Sequence, residues 1–193
     1  MIYEAQNFDH LLGLAGFSDT LLKNHFTLYQ GYVANTNKLL ALQEEMQKSD
    51  RLDVPEFAEI NRRFGWEFNG MRLHELYFSN LTVDAGAIEA TGALATAMAS
   101  EFGSVGDWEK NFRAKCAFRG IGWVILALDT HSGRLFNVWV NEHDVGHLAG
   151  ATPILVFDAF EHAYMIDYGI KKAEYINSFF RAINWREVEG RMK

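Results

Sequence analysis

Residues 153–164 read PILVFDAFEHAY, an apolar run followed at once by two carboxylates and an imidazole. The run at residues 153–157 has the β-branched and aromatic composition of a buried strand. Asp158, Glu161 and His162 therefore follow the end of a buried strand. Burying titratable groups in a packed core costs free energy unless they have partners. Because carboxylate and imidazole side chains are metal ligands, this position predicts a metal site.

The first half of the chain has helical periodicity. Apolar residues recur every three or four positions from about residue 18 to residue 47, and Ser18 with Asp19 supplies an N-cap, which predicts one long helix. Further helices are predicted at residues 55–64, 66–81, 85–101 and 105–117.

The second half changes to strand chemistry after Gly120. Apolar runs at residues 122–128 and 134–140 flank turn-forming residues 129–133, which predicts a β-hairpin. The run at residues 153–157 adds a third strand, and helices are predicted to follow at about residues 159–168 and 173–183.

These elements predict an α+β fold in two parts. An N-terminal long-helix hairpin domain is expected at residues 1–82. An α/β domain with a three-stranded antiparallel sheet is expected at residues 83–193, carrying the Asp-x-x-x-His pattern.

Composition limits the partners and the compartment. A net charge of -7 argues against nucleic acid, whose binding needs clustered Lys and Arg. No apolar window reaches the length of a membrane span, and the N-terminal residues lack the pattern of an export signal. Cys116 is the one cysteine of the chain, which fits a reducing cytoplasm. We therefore expect a cytoplasmic protein without a membrane or nucleic-acid partner.

Three histidines extend the metal hypothesis. His25 and His74 lie on the apolar sides of two long predicted helices, and His162 accompanies Asp158 after the buried strand. Burying these titratable groups without compensation would cost several kcal/mol, and a bound cation offsets that cost. Three imidazoles and one carboxylate suit iron, manganese or zinc, and the ligand types alone leave the choice open.

The segment at residues 158–185, DAFEHAYMIDYGIKKAEYINSFFRAINW, resembles the C-terminal signature of the iron/manganese superoxide dismutases. That signature reads Asp-x-Trp-Glu-His-Ala-Tyr and is followed by a helix that ends in Asn-Trp. The resemblance extends over nearly the whole chain after residue 17. It implies that superoxide is converted to dioxygen and hydrogen peroxide at one iron or manganese ion per chain, with iron preferred. The implied ligands are His25, His74, Asp158 and His162.

The resemblance also implies roles for residues around the ligands. Tyr32 near the substrate entrance and His143 would orient solvent in the site and relay protons. Glu161 would lie near the interface of a homodimer. Lys172, with Lys23 and Arg72, is a candidate for a positively charged funnel that attracts the anionic substrate. These cations are candidates by sequence position, and a solvated surface role is an equal alternative for each.

One departure from the family pattern leaves two readings. Tyr32 follows His25 by seven positions, whereas the family spacing is eight, so an alignment without a gap places Asn24 at the first ligand position. We favour His25, because loss of a π-bulge would restore a regular helix and keep the imidazole facing inward. The alternative is a metal-free, superoxide dismutase-like structural or assembly protein.

Overall fold

A computed structural model describes residues 2–192 of the chain. Its N-terminal part is a hairpin of two long helices, α1 (Asp19–Lys48) and α2 (Pro55–Ser79). Ser18 caps α1, because its hydroxyl accepts a hydrogen bond from the backbone N–H of Leu21. Proline at the first helical turn starts α2, where the missing N–H is harmless. The helices predicted at 55–64 and 66–81 are one helix, since Gly65 does not interrupt it.

The C-terminal part contains the sheet and the remaining helices. Its elements are α3 (Ala93–Phe102), α4 (Val105–Cys116), β1 (Gly122–Asp129), β2 (Leu135–Asn141), β3 (Ala151–Asp158), α5 (Met165–Tyr168), α6 (Lys172–Arg181) and α7 (Trp185–Gly190). Single-turn 3₁₀ helices occur at Asp9–Leu11 and Glu161–Ala163. The predicted α+β class with a three-stranded antiparallel sheet is confirmed.

The sheet has the strand order β2-β1-β3, and both pairings are antiparallel. The central strand β1 is buried along nearly its whole length, which explains why residues 122–128 are a continuous apolar run. In this register Trp123 lies opposite Val140 on one side and Asp158 on the other. The pairing therefore fixes the last residue of β3 beside the indole of β1.

Two helix predictions differ from the structure at their boundaries. The helix predicted at residues 85–101 begins at Ala93, where Glu189 of α7 accepts a hydrogen bond from the Leu94 N–H at 3.2 Å. A partner 95 positions away leaves no local signal in the sequence. The helix predicted at 159–168 is a 3₁₀ turn followed by the four-residue α5. The helix α7 was not predicted.

The C-terminal end of α2 is held inside the C-terminal part. The Asn80 amide donates to the Val156 carbonyl at 2.7 Å, and the Arg191 guanidinium donates to the Asn80 side-chain oxygen at 2.6 Å. Leu81 and Ile183 form an isolated antiparallel bridge. These contacts fix α2 relative to β3, and no helix among residues 2–192 is long and apolar enough to cross a membrane.

Candidate metal centre

Four side chains from four elements converge at one point. His25 comes from α1, His74 from α2, Asp158 from the end of β3 and His162 from the 3₁₀ turn. One nitrogen or oxygen atom of each lies within 4.8 Å of those of the other three. The Asp158 Oδ2 atom is 3.2 Å from His25 Nε2, 3.8 Å from His74 Nε2 and 3.1 Å from His162 Nε2.

The structure places His25, and not Asn24, at this point. The helix α1 is regular α-helix from Asp19 to Lys48, without a π turn. Within it His25 is 2% exposed, whereas Asn24 faces solvent. The seven-residue spacing from His25 to Tyr32 is thus two turns of an ordinary helix, which keep both side chains on the buried face.

Unpartnered nitrogen atoms show that the site suits a cation. The His74 Nδ1 atom lies 2.6 Å from the Gly70 carbonyl, so Nδ1 carries the proton and the Nε2 lone pair faces the other three side chains. That Nε2 and both nitrogens of His25 are buried without a hydrogen-bond partner. The contact of His25 with Asp158 has the distance but not the geometry of a hydrogen bond. A bound cation would satisfy these atoms.

Burial sets the protonation states that a cation requires. Burial lowers the pKa of His25, and it lowers that of His74 well below the ordinary value, so both imidazoles are neutral at pH 7. Burial alone would raise the pKa of Asp158. The charge of His162, its hydrogen bond to Oδ2 and the close contact of His25 with Oδ2 outweigh it and lower that pKa below its usual range. The group therefore offers a carboxylate together with the neutral imidazoles of His25 and His74.

Hydrogen bonds fix the orientation of Asp158. Its Oδ1 atom accepts from the backbone N–H of Phe160 at 2.8 Å, which leaves Oδ2 facing the histidines. The Tyr175 hydroxyl donates to the Asp158 carbonyl at 2.8 Å, and the Tyr77 hydroxyl lies 3.1 Å from that of Tyr175. Both tyrosines are buried, so this chain of hydroxyls holds the end of β3 from inside the core.

A hydrogen-bonded pair, Tyr32 and His143, borders the four converging side chains. The Tyr32 hydroxyl lies 2.9 Å from His143 Nε2, and the Tyr32 ring stacks on His74 with 5.0 Å between centroids. The Trp123 indole N–H donates to His143 Nδ1 at 3.0 Å. Because an indole only donates, Nδ1 is the acceptor and Nε2 carries the proton, which it donates to the Tyr32 oxygen. Burial lowers the pKa of His143 to about 4, so the neutral tautomer persists at pH 7.

Comparison with known proteins gives the family. A family model described as "Iron/manganese superoxide dismutases, C-terminal domain" matches residues 90–191. The chain is 38% identical to "Superoxide dismutase [Fe]" of Cupriavidus metallidurans, over 92% of this chain and 89% of that protein. It is 34% identical to "Superoxide dismutase [Fe]" of Aquifex pyrophilus, over 100% and 92% of the two chains. It is 36% identical to "Superoxide dismutase [Mn] 2" of Haloferax volcanii, over 87% and 82%.

The chain belongs to the iron/manganese superoxide dismutase family. The resemblance identified from residues 158–185 is thereby confirmed. Because relatives named for iron and for manganese both match along most of the chain, membership of this superoxide dismutase family does not choose between the two metals.

The structure brings the six predicted site residues together, whereas the side chain of Glu161 faces solvent. Glu161 is exposed and lines a cavity with Phe118, Tyr164 and Lys172. In this family member, Tyr29 follows His25 by four residues on α1 and is buried on the same face. Its hydroxyl donates to the buried Glu75 at 2.9 Å, directly beside His74 in sequence.

Sequence reasoning missed Trp123, Trp66 and Gly70. Trp66 contacts both members of the pair, with 5.6 Å between ring centroids to Tyr32 and 4.4 Å to His143. A side chain at Gly70 would meet the Tyr32 ring, since an added Cβ would lie 2.5 Å from its Cδ1 atom. The GWEFNG segment at residues 65–70 shows small and aromatic residues at helical spacing, but these are equally typical of a core.

Proposed function

We infer that this protein is a superoxide dismutase, which converts superoxide to dioxygen and hydrogen peroxide at one iron or manganese ion per chain. We propose His25, His74, Asp158 and His162 as the metal ligands. The single observation that carries the proposal is the convergence of a carboxylate with neutral imidazoles whose buried nitrogens have no other partner. Burying these unpartnered nitrogens costs free energy, and a metal-free protein would leave that cost uncompensated. The alternative of a metal-free structural protein is therefore not favoured.

The overall reaction consumes two superoxide anions and two protons and yields one dioxygen and one hydrogen peroxide. The bound iron or manganese would supply one-electron redox chemistry, accepting an electron from one superoxide and returning it to the other. The chain must supply protons to the second half of the reaction, because peroxide leaves as the neutral molecule.

We propose Tyr32 and His143 as the residues that supply these protons. His143 donates its Nε2 proton to the Tyr32 oxygen, so the hydroxyl proton of Tyr32 is free to point into the site. Burial raises the pKa of Tyr32, and the charges of Asp158 and Glu67 add to the rise, which keeps the hydroxyl protonated at pH 7. Trp123 holds the imidazole in the tautomer that this arrangement requires.

The test measures bound metal and dismutation together. Protein purified without added metal is first analysed for bound iron and manganese. It is then reconstituted with each metal separately, and superoxide disappearance is followed for each metal form. We expect about one ion per chain in each loaded form and none bound to His74→Ala, whose helix content should remain. Less than about a tenth of an ion per chain after reconstitution, or unchanged dismutation by His74→Ala, would refute the proposal.

We propose iron as the preferred metal. The relatives of Cupriavidus metallidurans and Aquifex pyrophilus, both named as iron enzymes, support this choice. His143 should help to decide which metal works, because a histidine beside the site tunes the acidity and redox potential of the centre. Faster dismutation by the manganese form than by the iron form at equal loading would overturn the preference.

We further propose a cytoplasmic homodimer with Glu161 near its interface. Exposed apolar side chains adjoin Glu161 in space or sequence, namely Phe118, Ile121, Met165 and Ile166. The buried thiol of Cys116 is compatible with a reducing compartment. Sedimentation should give the mass of two chains, and Glu161→Ala should weaken the association.

We also propose that residues 1–82 and 83–193 are separate domains. The family model, which covers a C-terminal domain and begins at residue 90, supports this division. Limited proteolysis should cut first near residues 83–92, which lack helix and strand.

A further inference from the structure

A cavity of about 240 Å³ lies between α1 and α2 and reaches the Tyr32 side chain. Its walls include Gly31, Tyr32 and Asn35 from α1 and Arg63, Trp66 and Glu67 from α2. Because Tyr32 also contacts His143 and His74, the cavity adjoins the proposed centre through one layer of side chains.

Trp66 links the cavity wall to the loop that carries His143. Its indole N–H donates to the Glu142 carboxylate at 3.1 Å, and its ring meets the His143 ring edge to face at 4.4 Å between centroids. The indole is therefore held at both ends, and it lies beside both members of the Tyr32–His143 pair.

Arg63 lies over the ring of that indole. Its guanidinium carbon is 3.8 Å from the centroid of the Trp66 ring. Its Nε and Nη2 atoms lie 2.9 and 2.8 Å from one oxygen of Glu67, whose side chain is 5% exposed, against 43% for Arg63. Within residues 2–192 the other guanidinium N–H groups have no protein acceptor. The pair thus buries its carboxylate and presents its cation.

Two of the three cations that the sequence favoured are engaged elsewhere, and the third, Lys23, is exposed on α1 and is not part of the wall of this cavity. Arg72 pairs with Glu75 at 2.6 Å, and the Lys172 amine donates to the Phe118 carbonyl at 3.2 Å. Because the chain has a net charge of -7, attraction of an anionic ligand to the cavity depends on a cation placed there. The charges of both members of the Arg63–Glu67 pair act on Tyr32: Glu67 raises the Tyr32 pKa, and Arg63 lowers it by less.

We propose that Arg63 recognises small inorganic monoanions at the mouth of this cavity and thereby sets how fast superoxide enters the centre. Trp66 and Glu67 act as positioning residues that hold the guanidinium at the mouth. The inference rests on the proposed dismutase function for the identity of the natural anion. The same site should bind azide, a stable monoanion of similar size.

Arg62→Gln is the matched control for Arg63→Gln. Arg62 precedes Arg63 on α2, is 66% exposed and pairs with Glu59, so its substitution removes the same charge from the same helix. Two quantities are measured on the iron-loaded protein, namely the second-order rate constant against ionic strength and the dissociation constant for azide from the absorption spectrum.

Arg63→Gln should lower the rate constant at low salt about two- to fivefold, weaken azide binding by a similar factor and flatten the salt dependence. Arg62→Gln should leave all three near the wild-type values, and Arg63→Lys should retain most of both properties. Equal effects of the two glutamine variants would overturn the inference. A loss in Arg63→Lys as large as in Arg63→Gln, with the salt dependence unchanged, would also overturn it.

Failure of the inference about Arg63 can be distinguished from failure of the proposed dismutase function. If the iron-loaded wild type bound azide but did not dismutate superoxide, the dismutase proposal would fail. The difference in azide affinity between Arg63→Gln and Arg62→Gln would still decide whether Arg63 recognises anions.

Discussion

Replacing either of two buried histidines by leucine should change the stability of the metal-free protein in opposite directions. His25 is 2% exposed and His143 is 0% exposed, so burial does not separate them. Both nitrogens of His25 lack hydrogen-bond partners, whereas both nitrogens of His143 are bonded, to Tyr32 and Trp123. The comparison isolates the free energy of unpartnered polar atoms at matched burial.

The expected magnitudes follow from these partners. Each unpartnered buried nitrogen costs about 1–3 kcal/mol, and His25→Leu removes two of them at the loss of one contact with Asp158. A net gain of about 1–3 kcal/mol is expected. His143→Leu leaves the Tyr32 hydroxyl and the Trp123 N–H without this partner, and a loss of about 2–6 kcal/mol is expected. For a chain of this length, 1 kcal/mol shifts Tm by about 2–4 °C.

The assay is thermal and urea unfolding of protein stripped of metal by chelation, with metal content measured in parallel. His25→Leu should unfold at a higher temperature than the wild type and fail to gain stability when iron or manganese is added. His143→Leu should unfold at a lower temperature and still take up metal. A metal-free His25→Leu protein less stable than the wild type would refute the reasoning, because the imidazole would then be a structural element.

Two further predictions concern the Tyr32–His143 pair. Gly70→Ala should displace the Tyr32 ring, lower dismutation several-fold and cost about 1–3 kcal/mol of unfolding free energy, since its Cβ would lie 2.5 Å from that ring. Gly65→Ala in the same helix meets nothing within 4 Å and should instead stabilise by about 0.5–1 kcal/mol; equal effects in urea unfolding would contradict this contact. The second prediction is that metal-free protein loses unfolding free energy as the pH falls from about 6.5 towards 4. Burial lowers the pKa of His143 to about 4, so the unfolded chain binds its proton first. Urea titrations should show a shallower slope for His143→Gln, and an unchanged slope would contradict the assignment.

Local patterns were sufficient to predict most of the fold. The periodicity of α1 and the continuous apolar run of β1 each reflect burial of a face that the sequence itself displays. The start of α3 and the helix α7 were not predictable in this way, because Glu189 caps α3 across 95 positions. Gly65 also suggested a break in α2 that tertiary packing overrides.

The residues of the candidate site also fall into those that local patterns predict and those that they do not. Chemical type and helical position were enough to select His25, His74, Asp158 and His162 as a group. The residues that position them could not be predicted from the sequence, because Tyr175 acts on a backbone carbonyl and Gly70 acts by lacking a side chain. Such roles depend on contacts between distant parts of the chain, which a single sequence does not display.

The four converging side chains span residues 25 to 162 of the chain, and one of them stands in place only when β3 pairs with β1. During synthesis, the two long helices can emerge and pair well before the residues that complete the cluster exist. A cation held by all four side chains can therefore bind only after β3 has joined the sheet.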